Sequence, residues 1–292
     1  VADPVPGPPL AVVLVHRDQP AGLAATVAAF GASGLDLRLV VVDNGSSAAA
    51  LERVVADLPR GATLIELGAN RGFGAGANAG LRWAMERGHD LVAVAPHDAL
   101  PEPGCLGQLV GAMRERPRAG LVCADVGDGH RPHVDPYFGG ITLPRTREVG
   151  WEDCHYPHGT LFLARRSCLE DVGLFDERYF AYCEEADLGQ RARGAGWEVG
   201  IVHGARVRNP GMGTPSAAAD YLMSRNTLLL VREHFGRYHA FIRTAMLLGQ
   251  LVGGTVRPSS RPWIFSGRGR AWALLDHARR RYGPPPRRLT EA

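Results

Sequence analysis

The chain has 292 residues, 45% hydrophobic and 22% charged, with 37 glycines, 21 prolines and a net charge of +3. That apolar fraction supplies a core for one large domain or two small ones, and it excludes a disordered chain or a fibrous repeat. All 33 basic residues are arginine, against 30 acids, so the balance gives no support to a polyanion binder and no nucleic-acid partner is expected.

Residues 1–9 are Pro-rich, lack the basic opening of a signal peptide and read as a flexible N-terminus. Short apolar runs then alternate with helical stretches. Strands are predicted over 11–15, 37–42, 63–67 and 91–95, and helices over 21–30, 48–58, 76–87 and 103–114. Continuous apolar strands interleaved with helices predict an α/β fold, with a mostly parallel sheet covered on both faces. In such a sheet the strand-to-helix loops gather at the carboxyl edge, where ligands bind.

The rhythm changes after Val126. Residues 127–157, rich in Gly, Pro, His and Asp, read as a long irregular excursion facing substrate. It resumes with a strand over 160–164, an acidic helix over 184–194 and a strand over 197–202. From 216 onward the chain is helical, over 217–234, 239–252 and about 269–281. The apolar stretch 239–256 carries His239, Arg243 and Gln250, so it is expected to pack on the core rather than span a bilayer. Nine arginines against one acid in 257–288 read as a solvated basic face that could also attract anionic lipid. Five cysteines without a C-x-x-C motif indicate neither a disulfide framework nor a zinc site, and a cytoplasmic location is expected.

Polar groups collect at the predicted carboxyl ends. Asp43-Asn44-Gly45-Ser46-Ser47 follows the second strand; it makes an ordinary turn with a helix cap, or an Asp that accepts hydrogen bonds from a nucleobase or ribose. Asn70-Arg71-Gly72-Phe73-Gly74 through Asn78-Ala79-Gly80 follows the third, and its glycines allow backbone to approach a phosphate at a helix start. Part of it imitates a dinucleotide fingerprint, but that motif belongs after the first strand, where His16-Arg17-Asp18-Gln19-Pro20 stands instead. Asp98 follows the fourth strand and could hold a divalent cation on a pyrophosphate. Glu184-Glu185-Ala186-Asp187 opens the acidic helix; such acids offset the macrodipole, or raise one another's pKa and supply a base.

Taken in order, these motifs resemble the family 2 inverting glycosyltransferases of the GT-A fold, especially the bacterial rhamnosyltransferase-like branch. The resemblance covers about residues 10–235 and adds Val172 through Phe180 and the pair Arg225-Asn226 with Tyr221. It implies a Rossmann-like nucleotide-binding half with a mixed central sheet (10–126), an acceptor and base half (127–235) and a C-terminal helical extension (236–292). The implied reaction moves a sugar from a nucleotide diphosphate sugar to an acceptor hydroxyl, with inversion, in carbohydrate biosynthesis. Glu185 is the implied base, with Glu184 and Asp187 shaping the acceptor site. Asp43, Asn44, Ser46, Asn70, Gly72, Asn78, Asp98, Arg225 and Asn226 are the implied donor-binding residues, with Arg208 a further cation for the pyrophosphate. Asp98 is the implied ligand of Mg2+ or Mn2+.

The chain departs from the family pattern at three places. Pro96 replaces the first acid of the metal motif, Asn209 stands where a His is usual, and Glu184-Glu185 replaces a Glu-Asp pair. Two alternatives follow: a non-catalytic nucleotide-sugar-binding protein on a decayed scaffold, and a sugar nucleotidyltransferase. The latter lacks its Gly-rich loop after the first strand here. A glycan, a lipid-linked saccharide and a natural product are all open as acceptor, as are a homodimer and peripheral contact with the inner face of the membrane.

Overall fold

The computed structural model describes residues 9–210 and 216–290; the expected flexible N-terminus lies almost wholly outside them. Nine strands form the central sheet. They are β1 (Leu10–His16), β2 (Leu37–Asp43), β3 (Thr63–Glu66), β4 (Leu91–Pro96), β5 (Leu100–Pro101), β6 (Ala119–Asp125), β9 (Gly150–Asp153), β10 (Phe162–Arg165) and β11 (Glu198–Arg208). Their order is β3-β2-β1-β4-β10-β6-β11-β5, with β9 also on β11. The first half is parallel, β10 runs antiparallel between β4 and β6, and β5 and β9 lie antiparallel to β11. The sheet is mixed, as the family resemblance implies and the strand pattern alone did not.

Both faces are covered, which is why β1 is apolar from Leu10 to Val15. Val12 and Leu14 join a core with Leu23 and Phe30 of α1 (Pro20–Gly31) and Leu106 and Leu109 of α4 (Cys105–Glu115). Val13 and Val15 join the opposite core with Leu81 of α3 (Phe73–Glu86), Leu169 of α5 (Arg166–Val172) and Leu188 of α6 (Glu184–Gly194). The first-half elements otherwise follow the predicted pattern, with α2 (Ala48–Asp57) after β2. Helix α3 starts three residues earlier than expected, so Gly74 and Gly76 lie in its first turns. A side chain at Gly76 would meet Val15 Cγ1 at 2.8 Å, and one at Gly80 would collide with Val13. These two glycines seat α3 against β1.

The excursion over 127–157 is not irregular. It builds the hairpin β7 (His130–Asp135) and β8 (Gly139–Pro144), a separate two-stranded sheet, and then β9. Its mostly polar composition, with only Pro132 and Val134 of β7 buried, hid the strand period. Strand β11 also runs six residues beyond the predicted end, through a register shift after Val202 that lets the polar His203–Arg208 stretch stay in the sheet.

The first two predicted C-terminal helices are present and run on as α7 (Ala217–Val256), divided at Gly236, where φ of +84° and ψ of −177° are not helical. Helix α8 (Gly267–Ala278) packs on α7: Tyr221 donates to Asp276 Oδ2 at 2.8 Å and Arg270 Nε to Asp220 Oδ2 at 2.9 Å. Among the described residues no helix is long and apolar enough to cross a membrane.

Candidate active site

At the carboxyl edge, His16 and Asp43 are register partners closing β1 and β2. Asp43 is buried; its Oδ1 lies 3.3 Å from His16 Nδ1, and its Oδ2 accepts from the amides of Gly45 (3.2 Å) and Ser46 (3.1 Å). His16 Nε2 accepts from Gln19 N at 3.1 Å, which assigns the ring proton to Nδ1, facing Asp43. Ser46 Oγ accepts from Asp18 N at 2.9 Å, tying the first two loops together. Asn44 bridges to the third loop, donating to Gly72 O (3.0 Å) and accepting from Arg71 N (2.8 Å). Asn70 Oδ1 accepts from Gly72 N at 3.0 Å within that exposed loop. Asp43, Asn44, Ser46, Asn70 and Gly72 thus form one connected edge.

Beside it, a cleft of about 510 Å³ is lined by Gln19, Gly22, His97, Asp98 and Pro210. Burial first, opposed by the Asp98 charge, lowers the His97 pKa and keeps that ring neutral. The Asp98 carboxylate accepts no hydrogen bond from the described residues and is only half-buried. Among the described residues no cluster of three His, Cys, Asp or Glu side chains could cage an ion. A single open carboxylate suits Mg2+ or Mn2+ completed by diphosphate oxygens and water, and does not suit an all-protein site. Asn209 leads into Pro210 at this same cleft, while Arg208 sits at the surface with its Nε 3.6 Å from Glu102.

The donor-side loop abuts the acidic helix. Phe73 N donates to Phe180 O at 2.8 Å, and any side chain at Gly72 would collide with that same carbonyl; Gly72 has a φ of +89°. Asn78 is buried and clamps the 175–177 stretch, accepting from Phe175 N (3.0 Å) and donating to Phe175 O and Glu177 Oε1 (both 2.9 Å). Phe180, Tyr182 and Cys183 all have positive φ, of 67°, 70° and 71°. Each such residue costs about 1–3 kcal/mol and persists only where its surroundings hold it. Asn226 and Arg225, both fully buried, do so. Asn226 Nδ2 lies 2.7–2.8 Å from the carbonyls of Tyr179, Ala181 and Tyr182, and Arg225 reaches Tyr179 O at 3.3 Å and Tyr221 Oη at 3.0 Å. The structure does not bring Arg225, Asn226 or Asn78 to the open cleft.

The strained turn delivers the three acids of α6 into different surroundings. Asp187 is buried, accepting from Arg191 Nε and His234 Nε2, both at 2.9 Å. Burial pushes its pKa up, but the His234 and Arg191 contacts outweigh that and hold it below the usual carboxylate value. Arg191 also donates to Val172 O (2.6 Å) and Leu174 O (2.7 Å), fixing the preceding stretch. Glu184 is 3% exposed, with Oε2 unpartnered, and its Cγ lies 3.8 Å from where a Cβ at Gly74 would sit. Burial, and then the Glu185 charge, push its pKa well up. Glu185 is half-buried, and burial raises its pKa to about 7.

Two residues of this site were not singled out from sequence. Gly159 lies against the Glu185 carboxylate, where any side chain would collide with Oε1; a lone glycine just before a buried strand is the signature of such an approach. His16 was legible as a polar residue at the carboxyl end of an otherwise apolar strand.

The model of "Glycosyl transferase family 2" matches residues 11–173. An N-acetylglucosaminyl-diphospho-decaprenol L-rhamnosyltransferase of Mycobacterium tuberculosis is 28% identical over 249 residues, covering 70% of this chain and 78% of the relative. Among solved structures, a mannosyltransferase from Pyrobaculum calidifontis in complex with GDP-Man and Mn2+ superposes with a TM-score of 0.60 at 17% identity, covering 96% of this chain and 88% of that one. GalNAc-T7 with UDP, GalNAc and Mn2+ gives 0.61 at 14% identity, covering 92% and 54%. These two likenesses concern the fold, which is GT-A.

Proposed function

The chain belongs to glycosyl transferase family 2, and on that premise we propose that it moves a sugar from a nucleotide diphosphate sugar onto a hydroxyl of a lipid-linked saccharide, with Glu185 as the general base. That it is a glycosyltransferase using a nucleotide sugar follows from the family and its relative. The lipid-linked acceptor is proposed from the name of the rhamnosyltransferase relative; peripheral contact with a membrane goes with it.

One observation carries the base assignment. Three acids share one helix start, and only Glu185 combines partial exposure with a carboxyl titrating at about 7. An inverting displacement takes the acceptor proton as the new bond forms, and a base works best with a pKa near the working pH. Asp187, paired with Arg191 and His234, orients α6.

On the donor side, Asp43 with His16 shapes the edge that receives the nucleoside, and Asn44, Ser46, Asn70 and Gly72 fix its loops. Asn78, Arg225 and Asn226 are positioning residues that hold the donor loop and the strained turn in register. Asp98 would hold Mg2+ or Mn2+, which when bound supplies positive charge for the departing diphosphate. The test is release of nucleoside diphosphate in the presence of acceptor, assayed with and without added Mg2+ or Mn2+. Release by the wild type and its loss in Glu185→Gln support the reading; equal release by both overturns it.

A further inference from the structure

A second cavity, of about 360 Å³, lies between the β7–β8 hairpin, α7 and the segment that leads to α8. Its walls include Phe138, Met223, Trp263 and Ile264, and Arg243 and Thr227 also line it. Arg243 is 9% exposed, its Nε is unpartnered, and no described residue accepts a hydrogen bond from it. Other charges facing the cavity cancel: the Asp220 carboxylate is taken up by Arg270 Nε at 2.9 Å and Ser266 N at 2.6 Å. The nearby Cys183 thiol is pushed up to about 12, chiefly by burial, and stays neutral. An uncompensated guanidinium buried among apolar side chains is costly unless an anion completes it.

The cavity borders the catalytic helix. Thr227 Oγ1 lies 3.9 Å from Cys183 Sγ, the residue before Glu184. Gly140, also in the lining, packs where an added Cβ would be 3.9 Å from Ala186 Cβ. At its other end, Gln250 and Pro262 are shared with a glycine-lined depression on the same helix. Beyond that the helix exposes Phe241 (73%), Leu248 (51%), Val252 (55%) and Val256 (71%), and Trp263 is 72% exposed. Between Glu233 and Asp276 the chain has no acid and six arginines, at 237, 243, 257, 261, 268 and 270. Apolar side chains beside an arginine whose charge is uncompensated match a hydrocarbon bearing anionic groups better than another helix, which would need acids for charge complementarity.

We propose that this cavity is the acceptor's docking site: Arg243 receives a diphosphate, the apolar walls receive the first part of a hydrocarbon chain, and the attached sugar reaches the start of α6. The inference rests on the lipid-linked acceptor proposed above and adds the residues and the phosphate chemistry that recognise it. A diphosphate suits a guanidinium through paired charge-assisted hydrogen bonds.

Isothermal titration with farnesyl diphosphate tests it, using the full chain with the donor site filled by a nucleoside diphosphate it binds. Wild type is expected to bind, with farnesol and inorganic pyrophosphate each at least tenfold weaker. Arg243→Gln is expected to lose tenfold or more, Arg243→Lys to lose less, and the donor affinity of both to stay unchanged. Undiminished binding by Arg243→Gln, displacement by nucleoside diphosphate, or no binding by wild type overturns the assignment. So does a dimer dissociated by Phe241→Ser with no farnesyl diphosphate binding, which gives the surface to a second copy. Turnover separates the two proposals. If wild type and Arg243→Gln glycosylate a farnesyl-diphosphate-linked sugar with equal acceptor KM, only the subsite falls. If wild type refuses that acceptor but glycosylates a free saccharide, the lipid-linked reading falls.

Discussion

The carboxylate of the donor edge and those that open α6 behave oppositely. At the donor edge, Asp43 has partners on both oxygens, His16 on one and two turn amides on the other. On α6, Glu184 has an unpartnered oxygen, and Glu185 is raised to about 7 by burial. Burial disfavours a charge, and hydrogen bonds to the ionised form restore it. The donor edge is therefore built to hold a carboxylate in one place by contacts on both oxygens, and α6 to let one gain and lose a proton. Asp187, two residues from Glu185, shows that the difference is local: His234 and Arg191 suffice to return it to the first kind.

The sharpest way to break this contrast is to remove the proton acceptor. Glu185→Gln is expected to lower kcat by roughly 10²–10⁴ with the donor Kd unchanged, measured by nucleoside diphosphate release and titration. Glu184→Gln removes a buried charge site and is expected to alter the pH dependence more than the rate. A dead Glu184→Gln beside an active Glu185→Gln would move the base by one residue. Asp43→Ala probes the donor edge: losing a charged acceptor of hydrogen bonds, worth about 1.5–3 kcal/mol, is expected to weaken nucleoside diphosphate binding roughly 10- to 100-fold. Unchanged affinity in a folded variant would leave Asp43 as a turn residue alone.

Much of this contrast was legible in the chain. Apolar strands and polar loop ends placed Asp43, the 70–80 loop and the acids at one edge, and the order of motifs carried the family. What was hidden depends on contacts between distant residues. Arg225 and Asn226 read as cations and amides for a pyrophosphate, yet they are buried against carbonyls some 45 residues earlier in the chain. Gly76 and Gly80 read as room for a phosphate and prove to be room for β1. The hairpin over 130–144 escaped because its side chains are too polar to show a two-residue period.

Those hidden contacts supply the next test. Asn226→Ala removes the donor that holds three carbonyls of the strained turn. A loss of about 1–3 kcal/mol in urea unfolding is expected, with a several-fold fall in kcat and little change in donor KM. An equally stable variant would mean that the positive φ values at Phe180, Tyr182 and Cys183 are held by other contacts.

The smallest expected effect is the most direct reading of the contrast, because it uses the unaltered protein. Glu185 must be ionised to accept a proton, so kcat/KM is expected to rise with pH and level off, with a midpoint at about 7. Between pH 6.5 and 7.5 the change is about threefold. Stability runs the other way. A glutamate that ionises at 4.5 when unfolded and at about 7 when folded keeps its proton longer in the native state. Between those two values the native state binds more protons, so the free energy of unfolding falls as pH rises and is level on either side. Glu184 adds in the same direction, whereas the lowered Asp187 contributes stability that is lost only in acid, as pH falls through its folded value. Burial lowers His155 and His277 to about 4, which works the other way below pH 6.5, so the Glu185 share is read by difference: urea unfolding from pH 4 to 8 is expected to show wild type losing stability relative to Glu185→Gln as activity climbs, and Glu185→Gln should flatten the activity curve. A wild type that gains stability relative to Glu185→Gln as pH and activity rise would mean that Glu185 is paired and that the base lies elsewhere.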